Sequence, residues 1–580
     1  MSNITLKELI ALKKQVDSEQ VENLMGDLRL VFDYTPGFDK FPMFISAAYV
    51  LYLLGKNKIE KTENFSKLRE IFSADEDIDY FIVEQIENVW KNVAKLNNKY
   101  ANSTLLSFIL FYNKNRSVRG SNSGTPASLI ALAIEVLKIK DTDLVADFGT
   151  GMGSFIIDAY MSNLEAAYYG NEINTTSKAI AYIRAKLISD SIIIKQTDMF
   201  LENDDKKFDK IFSNYPFGQK TNALYAGKEL FEKLKEIASG KSKVVSSDWL
   251  YNYFIINKLN VKGKAVGITT MGSTFNSLDK GVREYFIREG LIEAIIALPG
   301  RLFDSTAIET AMIVFSTGNK KIRMIDATEI CKIGRRKAEF TSTNIKKIVR
   351  ALKEDSNFSK EVNLKELESN DFVLNPGRYL TADVNIKNGV AFKDIVKNIT
   401  RGAQLRAVEL DDLVSMKPTT NQYLMLSNIQ NGLIDENLPY LKEINKSQER
   451  YCLKDKALLL SKNGAPFKVA IAQVNRDKKI LANGNLYIVE LDQNKVNPYY
   501  VKAYLESEDG IRTLSKVVVG ATIPNITLSG LNSIKIPLIS MKEQNDIADR
   551  YLAKVDEISL LKVKLEKAVN DLKMIIAKED

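Results

Sequence analysis

The 580-residue chain reads as a multidomain α/β protein, and three observations point there. Apolar residues recur at steps of three and four near the N-terminus, as in a helical layer. Short β-rich runs then alternate with helical patterns around a glycine-rich turn, which implies a doubly wound sheet. After about residue 376 the texture shifts to short strands and Asn-Gly turns, before a helical tail. Composition is that of an ordinary folded chain, 45% apolar and 27% charged, so neither disorder nor a disulfide scaffold is its theme.

The elements follow in order. Residues 1–110 form a helical N-terminal domain, on the spacing of Leu24, Leu28 and Val31 and of Ile82, Ile86 and Val89. The apolar run from Phe41 to Leu54 contains Pro42 and Ser46 and falls short of the ~18 residues that cross a bilayer, so it is a core helix. Residues 111–330, opening on a loop from Arg119 to Pro126, carry the α/β domain. Its strand runs include Leu144–Phe148, Ala166–Tyr169, Ile192–Ile194, Lys210–Ser213, Ala265–Ile268, Ala294–Ala297 and Ala311–Phe315. Residues 331–375 are charged and connecting. Residues 376–540 form a mixed α/β domain with turn signals at Asn431-Gly432 and Asn483-Gly484. Residues 541–580 are helical. Ile547, Tyr551, Val555, Ile558, Leu561, Leu565, Val569, Leu572 and Ile576 make a coiled-coil seam, with packing on the chain's own core as the rival reading.

Composition also excludes chemistry. The chain has no histidine and two cysteines, Cys331 and Cys452. Zinc centres of His and Cys, Ser-His-Asp triads and Cys-His dyads are therefore ruled out, and no metal is expected. The N-terminus shows no secretion signal and no stretch spans a membrane, so the expected compartment is the cytoplasm. Residues 1–110 hold 13 Lys/Arg against 16 Asp/Glu, with acids at Asp75, Glu76, Asp77 and Asp79. Residues 376–540 hold 22 against 16, so the positive excess lies where a polyanion would bind.

Two signatures carry the chemistry. The strand Leu144–Phe148 runs into Gly149-Thr150-Gly151-Met152-Gly153 and then a helix. Glycines allow a tight turn and a close ligand, while the third glycine comes one residue too early for a dinucleotide fingerprint. Asp147 ends the strand, and Glu172 follows a second strand, where an acid holds ribose hydroxyls. Asp209–Ser213 is a strand ending in Asn214-Tyr215-Pro216-Phe217. The Asn214 side-chain carbonyl and the Tyr215 main-chain carbonyl can accept both N–H groups of an exocyclic amine. That favours a tetrahedral nitrogen with an available lone pair. Pro216 keeps residue 215 extended, and Phe217 can stack on a planar base.

Together these residues resemble the modification subunits of type I restriction–modification systems, which are N6-adenine DNA methyltransferases. Asp147, Gly151, Gly153 and Phe155 match the family's Asp-Pro-x-x-Gly-x-Gly-x-Phe, with Phe148 in place of proline. Thr125-Pro126 matches its Thr-Pro of the cofactor pocket, Gly170-Asn171-Glu172 its ribose motif, and Asp198 its acid near the cofactor's adenine. Asn214–Phe217 matches its Asn-Pro-Pro-Phe, with Tyr215 where proline is usual. The resemblance covers about residues 1–330. It implies a Rossmann-like methyltransferase domain that uses S-adenosylmethionine.

The later third resembles half of a type I specificity subunit, on Tyr423–Gly432, Leu458–Gly464, Gly520–Ile526 and Ile536-Pro537-Leu538 followed by Glu543-Gln544. That implies a target-recognition domain for double-stranded DNA, with Lys462, Lys468, Arg476, Lys478 and Lys479 as candidate contacts. A single such domain followed by a seam helix implies a homodimer. A nuclease or translocase restriction subunit is a further expected partner. Three alternatives stay open: a binding-only specificity protein with a weakened catalytic site, N4-cytosine methylation, and protein-glutamine methylation.

Overall fold

The computed structural model describes residues 4–573, apart from 33–39, 58–63, 113–123, 203–204, 220–226, 238–245, 304–307, 335–336, 381–385, 436, 465, 476 and 520–523. Most of the loop expected before Pro126, and both Arg476 and Ile576, lie outside the described residues. The chain forms two compact units, Met1–Pro376 and Gly377–Asp580.

In the first unit the expected strands join one mixed sheet. Its members are β1 (Leu144–Phe148), β2 (Ala167–Glu172), β3 (Ile192–Gln196), β4 (Phe208–Ser213), β5 (Leu259–Thr270), β6 (Ile292–Ala297), β7 (Thr310–Phe315), β8 (Lys321–Asp326) and β9 (Ser359–Asn363), in the order β9-β8-β6-β7-β5-β4-β1-β2-β3. β1 pairs in parallel with β2 on one side and β4 on the other. β7 runs antiparallel between β5 and β6, and β9 antiparallel beside β8. The chain steps outward from β1 to β3 and then returns to β4. This reversal leaves a crevice beyond the C-terminal ends of β1 and β4, where ligands bind in open α/β sheets. Residues 331–375 do more than connect. They supply the helix Ser342–Ala351 and β9, whose register against β8 runs from Ser359–Ile325 to Asn363–Lys321.

The N-terminal helices share the sheet's core, since one buried apolar cluster runs from Leu9 to Ala351. The helix Phe41–Asn57 is the apolar run, and no helix among the described residues is long and apolar enough to cross a membrane. The acidic cluster acts as a clamp rather than a solvated face. Asp75 caps the helix Glu76–Ile86 and pairs with Lys186 at 2.7 Å, while Asp77 pairs with Lys178 at 2.6 Å. Both lysines lie on the helix Thr175–Ile188, which links β2 to β3. Arg184 of that helix is buried and donates to the carbonyls of Ile109, Tyr112 and Met152. The last of these lies in the glycine turn, so the helical layer and the turn are tied together.

The second unit holds two four-stranded sheets. Val396–Arg401, Leu486–Leu491, Leu458–Ser461 and Val469–Ile471 form an antiparallel sheet. Val414–Ser415, Tyr440–Leu441, Asn421–Leu424 and Lys479–Ala482 form the other. Asn431-Gly432 is the expected hairpin turn, with φ of 50° and 75° between Ile429–Gln430 and Leu433–Ile434. Asn483-Gly484 is not a hairpin: neither residue has positive φ, and the flanking strands belong to different sheets. That glycine serves close approach instead, since a Cβ there would meet Gln404 Cγ at 2.8 Å.

The tail is the helix Met541–Lys573. Gln544, fully buried, accepts from Asn497 N and donates to Ile539 O, and Tyr551 donates to Glu506 at 2.5 Å. Ile547 packs on the unit's core. Past Val555 every side chain described is exposed. The seam therefore divides: its first turns pack on the chain's own core, and its later residues face outward.

Gly153 begins the helix Ser154–Ser162 with φ of 82°, and a Cβ there would lie 3.2 Å from Ala181 Cβ. Gly153→Val adds left-handed strain and overpacking, for a loss of roughly 2–4 kcal/mol. Chemical unfolding of the first unit, compared with Gly151→Ala, measures it.

Candidate active site

Asp147 and Phe212 are register neighbours near the ends of β1 and β4. A cleft of about 750 Å³ opens there. Ten of the twelve residues expected in the catalytic and cofactor sites line it: Thr125, Asp147, Gly149, Gly151, Glu172, Asp198, Asn214, Tyr215, Pro216 and Phe217. The other two shape it from behind. Pro126 starts the helix Ala127–Leu137, and Gly153 packs against Ala181.

The turn after β1 is held by the end of β2. Gly149 and Gly151 have φ of 74° and 56°, and a Cβ on Gly151 would meet nothing within 4 Å. Gly149 N donates to Asn171 Oδ1 at 3.0 Å, and Gly151 N donates to Glu172 Oε2 at 2.9 Å. Glu172 Oε1 accepts from Asn174 N at 2.8 Å. Asp147 is buried at 2% exposure and accepts from Thr150 Oγ1 at 2.7 Å. Burial pushes its carboxyl up to about 7; the Thr150 hydrogen bond opposes this and the nearby Glu172 charge adds to it.

Asp198, just beyond β3, accepts from Phe200 N at 3.0 Å. An aromatic stack follows: Phe200 lies 5.1 Å from Tyr251, and Tyr251 lies 4.6 Å from Tyr215 at 9° between planes. Tyr215 is 1% exposed, and its hydroxyl donates to Asn252 Oδ1 at 2.9 Å. Burial holds its phenol well above the ordinary range. The residue that departs from the family motif thus puts its ring into an aromatic stack and remains part of the cleft lining.

Asn214 is the most informative side chain. Its Nδ2 donates to Thr125 Oγ1 at 2.9 Å. Its Oδ1 is buried and has no hydrogen-bond partner. A buried, unpaired carbonyl is costly and rare in a folded protein, and it fits a site that awaits a donor. Phe217 is half-buried and meets Phe303 edge to face at 5.5 Å.

Reading the sequence missed four of these residues. Asn171 stood inside the Gly170-Asn171-Glu172 motif, Phe200 two places after Asp198, and Phe303 beyond the strand run Ala294–Ala297. Nothing in the spacing of the helix Ser247–Lys258 marked Tyr251.

In the second unit the candidate DNA contacts do not act alike. Lys468 Nζ donates to the carbonyls of Leu426 (3.0 Å) and Ile429 (2.6 Å), and Lys479 pairs with Glu449 at 2.7 Å. Both ammonium groups are committed within the fold. Lys478 is exposed, and Lys462 is half-buried, its ammonium disfavoured by burial and then by the Arg401 charge.

Residues 107–387 match the N-6 DNA methylase family, and residues 415–571 match the type I restriction modification DNA specificity domain. The chain thus carries an N-6 DNA methylase region followed by a type I specificity region. The type I restriction enzyme HindI methylase subunit of Haemophilus influenzae is 28% identical over 320 residues, 50% of this chain and 71% of that protein. The MjaVIII methylase subunit of Methanocaldococcus jannaschii is 26% identical over 316 residues, 47% of this chain. The match takes in about half of that relative, 52% of its length. Among solved structures, a nuclease-deletion mutant of the type ISP restriction–modification enzyme LlaGI, in complex with a DNA substrate mimic, superposes with a TM-score of 0.51. It is 14% identical, covering 95% of this chain and 66% of that one, which is a likeness of fold.

The Asp147 carboxyl makes the methylase region's stability pH-dependent. Its folded pKa, about 7, lies above the reference 3.8, so the folded state holds the proton more tightly. That contribution is complete below about pH 4 and is lost as pH rises, by at most about 1.4 kcal/mol per pH unit, levelling off above about 7. Asp147→Asn, which keeps an acceptor for Thr150, removes this dependence. Unfolding free energies at about pH 5 and about pH 8 will differ less in the variant than in the parent chain.

Proposed function

We propose that the protein methylates the N6 amino group of a flipped adenine in specific double-stranded DNA sites, with S-adenosylmethionine as donor. The observation that carries this is the buried, partnerless Asn214 Oδ1, aimed by Thr125 and set in one cleft with the glycine turn.

The residues present fit the donor. Gly151 leaves open space where a side chain would stand, and Asp147, Glu172 and Asp198 bring three carboxyl groups to the cleft from the ends of β1, β2 and β3. Such a set suits a cationic, hydroxyl-bearing nucleoside. Glu172 would hold the ribose hydroxyls, Asp198 would serve the adenine, and Thr125-Pro126 and the glycine turn would border the rest. When bound there, S-adenosylmethionine supplies an electrophilic methyl group.

The chain's own groups do the remaining work. The target base must leave the duplex, because its amino group is otherwise paired and shielded. Phe217 offers a face for the extruded ring. Asn214 Oδ1 and the Tyr215 carbonyl accept the two N–H groups, and the nitrogen lone pair is freed for in-line attack. Neither contact requires a metal or a covalent link to the enzyme.

The same reading assigns the segments. Residues 1–110 are a helical layer, 111–330 the methyltransferase, 331–375 the helix and edge strand that complete its sheet, 376–540 the target-recognition domain and 541–580 a dimerisation helix. Ile558, Leu561, Leu565, Val569 and Leu572 are 45–72% exposed on that helix, and a second copy would cover them. A two-fold dimer reads a split, palindromic site. The name of its relative as a methylase subunit supports a nuclease or translocase partner. A DNA substrate of this kind supports a cytoplasmic location.

Sequencing-based mapping of modified bases in cells expressing the protein, with nucleoside mass spectrometry, tests the reading. N6-methyladenine at one recurring site is expected; N4-methylcytosine or unmodified DNA overturns it. Asn214→Ala will lower turnover by roughly 100-fold or more while donor binding persists. Thr125→Val will lower kcat with little change in donor affinity, and Thr125→Ser will restore it. A chain ending at Val555 will sediment as a monomer and methylate DNA poorly; an unchanged dimer mass would remove the seam from the proposal.

A further inference from the structure

The second unit carries a cleft of about 720 Å³ outside the site described above. It is lined by the end of the strand Val396–Arg401, the following residues to Leu405, and Gln448, Arg450 and Tyr451. What marks it is two arginines in one concave lining that contains no acid. Elsewhere in this unit Arg406, Lys454, Lys479 and Lys502 each have a carboxylate partner. Among the described residues Arg401, Arg450 and the adjoining Lys462 have none. Arg401 instead donates to Gly484 O at 2.7 Å, and the Gln404 carboxamide oxygen, turned toward it, accepts from the guanidinium. Arg450 lies over the Tyr451 ring at 4.6 Å.

The frame is rigid. Ala403 N donates to Ala482 O, Lys462 N donates to Asn485 O, and Gly402 and Gly484 each sit where a Cβ would collide with the facing loop. Two guanidinium groups thus line a concave surface that holds no acid, and Lys462 stands beside one of them. A cleft of one sign concentrates an opposite charge.

We propose that this cleft is the DNA-tracking surface of the specificity domain. Arg401, Arg450 and the adjoining Lys462 contact consecutive phosphates of a duplex, and the Gln448 carboxamide reaches a base edge. This rests on the reading of the chain as a DNA methylase and adds to it the residues that grip the substrate. Phosphate contacts fix position and carboxamides read bases, so the two kinds of residue have separable effects. Lys468 is the poorer candidate, since two main-chain carbonyls hold its ammonium.

The test uses the full-length protein and a fluorescent duplex containing the mapped methylation site, titrated over a salt series. Arg401→Ala and Arg450→Ala will each weaken binding roughly tenfold and reduce the log–log salt slope by about one. Arg401→Lys will keep most of the slope, which separates lost charge from lost fold, and Lys454→Ala will change nothing. Gln448→Ala will lower the ratio of cognate to scrambled affinity with the salt slope unchanged. If the parent protein binds and methylates DNA while the Arg401→Ala, Arg450→Ala double variant binds with unaltered affinity and slope, this cleft is not the DNA surface. A parent protein that prefers single-stranded RNA to the duplex overturns the proposal too. One that modifies no DNA at all overturns the methylase reading with it.

Discussion

The first unit is built around one buried acceptor, the Asn214 carboxamide, whose nitrogen meets Thr125 while its oxygen has no donor. The rest of the first unit serves that arrangement. β4 delivers Asn214 to the switch point, and the helix Ala127–Leu137 anchors the residues just after Thr125. The Tyr215, Tyr251 and Phe200 stack braces the strand end from beneath. An acceptor kept dry and already oriented loses little on meeting its donor, because no reorganisation is needed at that moment.

The glycine turn and the Asn-Tyr-Pro-Phe corner were legible in the sequence because both depend on backbone conformations that few residues adopt. Three positive φ angles at Gly149, Gly151 and Gly153 leave a visible trace. Residues that act through packing leave none. Tyr251 sits in an ordinary-looking helix, and only the folded chain shows that it joins Phe200 to Tyr215. The acidic run at Asp75–Asp79 was visible only as a cluster of charge, because the lysines it clamps lie more than a hundred residues away. The seam after Met541 was legible as a helix, but its pattern could not say where self-packing stops.

The second unit was read less completely for a physical reason. Its strands are mostly two to six residues long, too short for a periodic signature, and its two sheets exchange segments through the turn at Asn483-Gly484. Lysine positions in such a unit say little until partners are known. Lys468 and Lys462 are near neighbours in sequence, yet one seals carbonyl groups and the other stands beside an uncompensated guanidinium.

β9 closes the outer rim of the nine-stranded sheet, although it comes from a stretch that reads as a tether. A shortened chain stopping near residue 330 would strip that cover and lay bare the unpaired amides and carbonyls of β8. Exposed rims of this kind recruit other strands, so excised catalytic fragments of this protein would clump unless they extend past Asn363.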